Sequence, residues 1–377
     1  MIRHRLTPRP DWEATVRSQG LAWHHDDAET PYWDESTAYE LNEVEVGLLE
    51  ETAAEVHQLY IQATDHVIQK NRWADLCIHP DHVPLIRKSW EEDEFTLYGR
   101  FDMVLDRWGQ PILLEYNADT PTALLEASVI QWHWLKEVKP GCDQWNGIHE
   151  QLLAAWQRLA PGHVHFGSIA DGWEDEITAA YLEDTARQTG LPTTRLAMAA
   201  IGWNEAERSF TDEEEIPIRT LFKLYPWEWM LREDFGRHIG ASKCRFLEPP
   251  WKLLWSNKAM LAILWEMFPS HPALLPCYRE AGLLGDTYVR KPVFSREGAN
   301  VRIVQQGKVS DEQDGPYGAE GFVYQAVAEN ESCDGNWPVL GVWMIDGTPA
   351  GLGIREDSQR ITANTSRFVP HWILPPA

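Results

Sequence analysis

Arg100, Asp102, Glu115 and Asn117 fall within one short stretch, YGRFDMVLDRWGQPILLEYNADT, residues 98–120. The stretch reads as two strands joined by a tight turn at Trp108-Gly109. Side chains alternate across a strand with period two. With the turn placed there, Asp102 lies opposite Glu115 and Arg100 opposite Asn117, and all four project from one face. The other face carries Phe101, Met103, Leu105, Ile112, Leu114 and Tyr116, a core face. Two directly opposed carboxylates repel, at a cost of ~0.2–1 kcal/mol. A divalent cation removes that repulsion and uses the oxygens. Magnesium takes one or two carboxylates and leaves its other positions to water and phosphate. Arg100 beside them suits bidentate binding of a carboxylate or phosphate. Geometry alone leaves a second reading equally open, a solvated outer sheet face on which Arg100 neutralises the acids.

Nucleotide chemistry also needs lysines and a glycine loop. The chain has no G-x-x-x-x-G-K-[ST], which excludes a P-loop. It does have YVRKPVFSREGANVRIV, in which Lys291 ends a strand and Ser295-Arg296-Glu297-Gly298-Ala299 forms a loop before the next. Such a loop can fold over phosphates with its N–H groups and Arg296. Lys258, in SNKAML, sits near a helix start, where a cation is electrostatically disfavoured unless a ligand needs it. Arg355, in LGIRED, ends another strand. Each signal is weak alone, because strand–Lys-Pro–loop–Gly–strand is often only a hairpin.

Elements must bring these residues together. Residues 1–30 read as an irregular lead-in and 38–70 as a long helix, with Val44, Leu48, Ala54, Leu59 and Val67 as its apolar stripe. Residues 121–137 read as a helix with Pro121 in its first turn. A strand at HVHFGSIA, a helix closed by Gly190 and a strand at TTRLAMAAI make one Rossmann-like βαβ unit. TDEEE at 211–215 reads as an exposed loop, followed by a strand at IRTLFKLYPW and a helix over 228–238. The last third alternates again: a helix at KAMLAILWEMF, an apolar strand at GFVYQAVAE, and a hairpin turning at Asp346-Gly347.

Bulk composition narrows the class. The 377 residues are 44% hydrophobic, ample for a core, and carry a formal net charge of −25. So acidic a surface argues against non-specific nucleic-acid binding. Five scattered cysteines with no C-x-x-C pair argue against a disulfide framework or zinc site and fit a reducing cytoplasm. The first residues lack the apolar core of a signal peptide, and no run reaches the ~18 apolar residues of a membrane span.

Taken together, six motifs carry a resemblance. They are G-R-F-D (99–102), E-Y-N-A-D (115–119), K-x-x-x-W-x-W (223–229), W-K-x-x-x-S-N-K-A-M (251–260), V-R-K-P-x-x-S-R-E-G-A-N (289–300) and G-x-R-x-D (353–357). The combination resembles the synthetase module of glutathionylspermidine synthase, over most of the chain. The resemblance implies an α/β (α+β) permuted ATP-grasp fold with a Rossmann-like pre-ATP-grasp lobe and a helical N-terminal region. On that pattern, residues 1–160 hold the N-terminal helices and the metal hairpin, 161–245 the Rossmann-like lobe, and 246–377 the nucleotide lobe. The permutation is that Glu115-x-Asn117 precedes Lys258 and Lys291.

The same resemblance implies roles. Asp102, Glu115 and Asn117 match the magnesium ligands. Lys258 and Lys291 match ATP-binding lysines, with Ser295, Gly298 and Gln325 among the nucleotide contacts. Arg100, Arg296 and Arg355 match arginines around the transition state. Thr120, Thr122, Glu174, Asp175 and Lys223 fall where the family contacts its peptide substrate. The implied reaction is ATP-dependent: phosphate activates a carboxylate, and an amine, possibly a polyamine held near Glu174 and Asp175, displaces it. The bifunctional enzyme's amidase has no counterpart in this sequence, and the lid reads F-S-R-E-G where that enzyme has a glycine before the arginine. Two alternatives stand beside the ligase. A silent nucleotide- or polyamine-binding relative would have lost some charged positions, and none is missing. A kinase of small acids would release the acyl phosphate.

Overall fold

The computed structural model describes residues 1–25, 30–160, 162–169 and 173–374. The hairpin forms where its sequence predicts, Tyr98–Leu105 against Pro111–Asn117. Its ladder pairs Arg100 with Asn117 and Asp102 with Glu115, then slips by one residue. From Met103 towards the turn the partners are Leu113, Ile112 and Pro111, so Leu114 is the extra residue of a β-bulge. A one-residue slip exchanges the faces of a strand. That corrects the expected core face. Leu113 joins Phe101, Met103 and Tyr116 in the main core, with Leu105 packed at its edge. Ile112 and Leu114 turn instead to the polar face, beside Val104 and Val339.

The hairpin is the outer pair of a five-stranded antiparallel sheet. Trp337–Ile345 pairs with Tyr98–Leu105, Thr348–Asp357 follows, and Arg367–Val369 closes the far side. The turn of the second hairpin is Asp346-Gly347 as expected, both residues at positive φ. A second antiparallel five-stranded sheet runs in the order Cys277–Tyr278, Phe322–Gln325, Tyr288–Pro292, Arg302–Gln305, Lys308–Glu312. The βαβ unit appears as Val164–Ser168, Trp173–Gln188 and Thr193–Ala197 within a four-stranded sheet that is parallel throughout.

Several boundaries differ from the sequence reading. The lead-in is not irregular throughout: it contains a strand, Ile2–Arg5, and a helix, Trp12–Ser18. The long helix is Glu43–Lys70, and Thr37–Leu41 before it is a strand paired to Ile2–Arg5 and His371–Ile373. Asn42 starts the helix with a capping box: its side chain accepts from Glu45 N–H while the Glu45 carboxylate accepts from Asn42 N–H. The buried stripe is Val46, Leu49, Ala53, Val56, Tyr60, Ala63 and Val67, whereas Val44 and Ala54 are exposed. Glutamates surround both candidate stripes, so only the packing partner chose the phase. Pro121 precedes its helix, which begins at 124 and contains a π-helical turn, Glu126–Ile130. The 228–238 helix is two short pieces, Trp227–Met230 and a 3-10 segment Asp234–Ala241. In the 211–215 loop only residues 213–215 are exposed; Asp212 is buried and accepts the Glu214 and Ile216 N–H groups.

Behind the polar hairpin face, Phe101 and Tyr116 stack with ring centroids 3.9 Å apart. Tyr60 of the long helix and Trp255 press on them. This aromatic block fixes the hairpin from its core side. No helix among the described residues is long and apolar enough to cross a membrane.

The long helix depends on its first turn to enter the core at the right phase. Asn42→Ala is expected to lower unfolding free energy by about 1 kcal/mol. Urea titration checks this as a lower midpoint with an unchanged slope.

Candidate active site

The hairpin's polar face is the floor of a cavity of about 180 Å³ between the two antiparallel sheets. Arg100 and Asp102 are both buried there, which decides against the solvated-face reading. Arg100 Nε donates to Asp102 Oδ1 at 2.6 Å and Nη2 to Oδ2 at 3.1 Å. From two strands away, Arg355 Nη2 donates to the same Oδ2 at 2.9 Å. Asn117 Nδ2 adds a bond to Oδ2 at 3.0 Å and reaches Glu115 Oε1 at 3.4 Å. Gly341 stands opposite Asp102 on the intervening strand. A Cβ there would come within 2.8 Å of Arg100 Cδ, so the glycine gives the guanidinium its channel.

The opposing sheet supplies Lys291, and the turn before the helix Met260–Met267 supplies Lys258. Lys258 Nζ donates to Ser295 O at 2.9 Å and lies 3.4 Å from Glu115 Oε2. Lys291 Nζ donates to Leu114 O at 2.8 Å, and Gln325 Nε2 to Leu113 O at 3.3 Å. Pro111–Asn117 is an edge strand, and these two contacts cover its edge and bulge from across the cavity. The 295–299 loop turns at Gly298, φ +70°, where a Cβ would lie 2.6 Å from Thr362 O. The turn carries Arg296 to within 3.6 Å of Asp175 Oδ1.

Trp173–Gln188 brings Glu174 and Asp175 to the remaining wall. Thr122 Oγ1 donates to Glu174 Oε2 at 3.1 Å, and Thr122 O accepts Arg100 Nη1 at 2.6 Å. Every residue singled out from the sequence lines the cavity except Lys258, Asp175 and Lys223. Lys258 and Asp175 touch it through Glu115 and Arg296. Lys223 is fully enclosed; its ammonium pairs with Asp119 and lies 4.7 Å from the Trp227 ring centroid. Asp119 lines the cavity and also accepts Trp227 N–H at 2.9 Å. Lys223 therefore braces the wall from behind.

Charge is crowded here. Burial works against ionising Asp102, but Arg100 and Arg355 outweigh it and hold its carboxyl below the usual range. Lys258 and Lys291 do the same for Glu115. Burial, then Arg100, lowers the proton affinity of Arg355; burial, reinforced by Lys258 and only partly offset by Glu115, lowers that of Lys291. Cations so placed gain from any added anion. On the acidic wall, burial and then Glu126 push the Glu174 carboxyl up to about 7. Burial raises Asp175 against the pull of Arg296.

Three carboxylates have no role in the sequence reading. Glu228 and Glu297 line the cavity, and Glu126 lies buried beside Glu174 in the same electrostatic cluster. Glu228 sits in the Trp-rich 223–229 motif and Glu126 in an otherwise apolar helix, PTALLEASVIQW. A lone acid in an apolar run was the available signal. Among the described residues, no group of three or more His, Cys, Asp or Glu side chains is arranged to hold a metal ion. The hairpin offers two carboxylates and a carboxamide.

The pre-ATP-grasp model of glutathionylspermidine synthase matches residues 3–374. The chain belongs to that family. A Haemophilus influenzae protein, provisionally named an acid–amine ligase, is 37% identical over 97% of this chain and 98% of its own length. Trypanothione synthetase of Crithidia fasciculata is 30% identical over 83% of this chain. The bifunctional glutathionylspermidine synthetase/amidase of Escherichia coli is 26% identical over 84%. The chain spans only 53% and 56% of those two longer enzymes. A glutathione-synthetase-like effector from Globodera pallida has the same overall fold, with a TM-score of 0.57 over 98% of this chain and 100% of the effector, at 10% identity.

The Lys223–Asp119 pair tests how the wall is held. Asp119→Ala leaves a buried ammonium without its carboxylate, which is expected to cost about 3–5 kcal/mol. Chemical denaturation measures it. Asp119→Ala paired with Lys223→Met is expected to recover much of that loss.

Proposed function

We propose that this chain is an ATP-dependent carboxylate–amine ligase that activates its acid as an acyl phosphate. The observation that carries this reading is the convergence of Arg100, Lys258, Lys291, Arg296 and Arg355 around one cavity floored by Asp102 and Glu115. Membership of a family whose named members are ligases and synthetases supports the class. The fold that fits is a permuted ATP-grasp, with residues 1–160 giving the N-terminal helices and metal hairpin, 161–245 the Rossmann-like lobe and 246–377 the nucleotide lobe.

The apolar end of the cavity, with Val104, Leu114, Val289, Ile303 and Val327, suits a flat purine base. Lys258 and Lys291 hold the phosphates as point charges, with Ser295, Gly298 and Gln325 beside them. The opposed carboxylates of Asp102 and Glu115 with Asn117 form a hard-oxygen set of the kind that magnesium accepts. Their mutual repulsion, now bridged by the Asn117 amide, is what such an ion relieves; turning that amide over would present its oxygen. Bound there with ATP, the ion would neutralise phosphate charge.

Arg100 and Arg355 are fixed donors for the acid's carboxylate and later for the oxyanion of the tetrahedral intermediate. Arg296, on its loop, closes over the transferring phosphoryl group and keeps water from the acyl phosphate. Thr120 and Thr122 border the acid. Glu174, with Asp175 behind it against Arg296, gives the acidic side for a cationic amine, for which a polyamine is the leading class, and glutathione with spermidine the first pair to try.

ADP release with magnesium, screened over carboxylates crossed with polyamines and amino acids, is expected only when acid and amine are both present. ATP binding without release for every pair would overturn the ligase reading. Glu115→Ala is expected to bring turnover to background with the fold intact by circular dichroism. Arg355→Lys should lower kcat on the order of 10²–10³-fold, because one fixed donor to the developing oxyanion is lost.

A further inference from the structure

We infer that Arg296 and Asp175 form an exchange latch: when the loop arginine turns to the phosphates it uncovers Asp175, so that a bound nucleotide opens the place of a cationic amine. This rests on the ligase reading. Arg296 Nη2 lies 3.6 Å from Asp175 Oδ1. Arg296 lines the cavity and the buried Asp175 does not, whereas Glu174, its neighbour in the chain, does. The guanidinium therefore stands between Asp175 and the cavity.

The arginine's charged end is held loosely. A contact of 3.6 Å is an ion pair without a hydrogen bond. Among the described residues Arg296 makes no side-chain hydrogen bond, while Arg100 and Arg355 are both bonded to Asp102. The Trp229 ring centroid is 6.0 Å from its guanidinium carbon. The backbone around it, by contrast, is pinned. Ser295 O accepts from Lys258, Asn300 Oδ1 accepts from the Tyr317 N–H at 2.7 Å, and Gly298 is pressed against Thr362. Rotation of the side chain is then enough to move the charge. Lys258 grips the carbonyl one residue before Arg296, so phosphates bound to that lysine would lie beside the arginine as well. They offer it the charge-assisted, bidentate bonds that Asp175 does not make.

What the arginine leaves behind is the second half of the latch. Asp175, Glu297 and Glu228 are the acids that face it. Once it turns away, the buried Asp175 carboxylate has lost its ion pair, and an unpaired interior anion is costly. An alkylammonium arriving beside Glu174 supplies the missing cation. The exchange breaks and forms ion pairs only, and no covalent bond changes. Because phosphate and Asp175 compete for one guanidinium, the coupling is reciprocal: the amine favours the nucleotide by the factor by which the nucleotide favours the amine.

The test is a calorimetric titration of the full chain with spermidine, with and without magnesium and a non-hydrolysable ATP analogue, and with no acid present. The analogue is expected to lower the Kd for spermidine about 10-fold, and saturating spermidine to lower the Kd for the analogue by the same factor. Arg296→Gln, folded by circular dichroism, should bind spermidine without the analogue as tightly as wild type does with it. Asp175→Asn should bind spermidine weakly in both states. Neither variant should keep the coupling. A wild-type Kd for spermidine unmoved by the analogue would overturn the proposal, as would no spermidine binding in any state. Coupling of wild-type size in Arg296→Gln would overturn it too, by assigning the effect to direct attraction between spermidine and phosphate. Failure of wild-type protein to bind the analogue would instead remove the ligase reading.

Discussion

Asp102 is shared between two guanidiniums. Its carboxylate accepts from Arg100, Arg355 and Asn117 at once, so three strands of one sheet converge on a single buried anion. Neither arginine could be buried alone, because an unpaired interior charge is too costly. The acid therefore makes the cation cluster possible, and the two arginines together carry one positive charge more than it does. That surplus of positive charge, buried between two sheets, is what the rest of the site exploits.

The hairpin works because each of its faces has a different job. Aromatic stacking of Phe101 and Tyr116 against Tyr60 and Trp255 sets the core face. The bulge at Leu114 then turns the strand so that Leu114 faces the cavity, with its carbonyl taken by Lys291. The edge strand is thus tied to the opposing sheet by the same lysine that is proposed to hold phosphate. A shift of either sheet would move Lys291 relative to Glu115, which couples the cavity's width to its charge balance. On the other wall, Lys223 and Asp119 join the parallel sheet to the end of the strand that carries Glu115 and Asn117.

Parts of this were legible because they are local. The pairing of Arg100 with Asn117 and of Asp102 with Glu115 follows from the turn and the two-residue period, and the βαβ unit from its own apolar runs and Gly190. The 346–347 turn carries its signal in an Asp-Gly pair. The sequence leaves the phase of the helix stripe open, because 43–70 mixes glutamates with apolar residues on two overlapping faces. The strand at 37–41 was hidden since its partners, 2–5 and 371–373, lie at the two ends of the chain. Glu126 and Glu228 carry no local pattern, because their importance lies in what surrounds them.

The sequence by itself determined that Arg100, Asp102, Glu115 and Asn117 share a face of the hairpin, which loops can turn at glycine, and, through six separated motifs, the family. Those are properties of period, turn chemistry and residue type. Only the tertiary structure decided the bulge that moves Leu114 and Ile112 across the strand, the enclosure of Lys223, and the gathering of Lys258, Lys291 and Arg296 opposite Asp102 and Glu115. Each of these depends on burial and on contacts between residues more than a hundred positions apart, where no local period reaches.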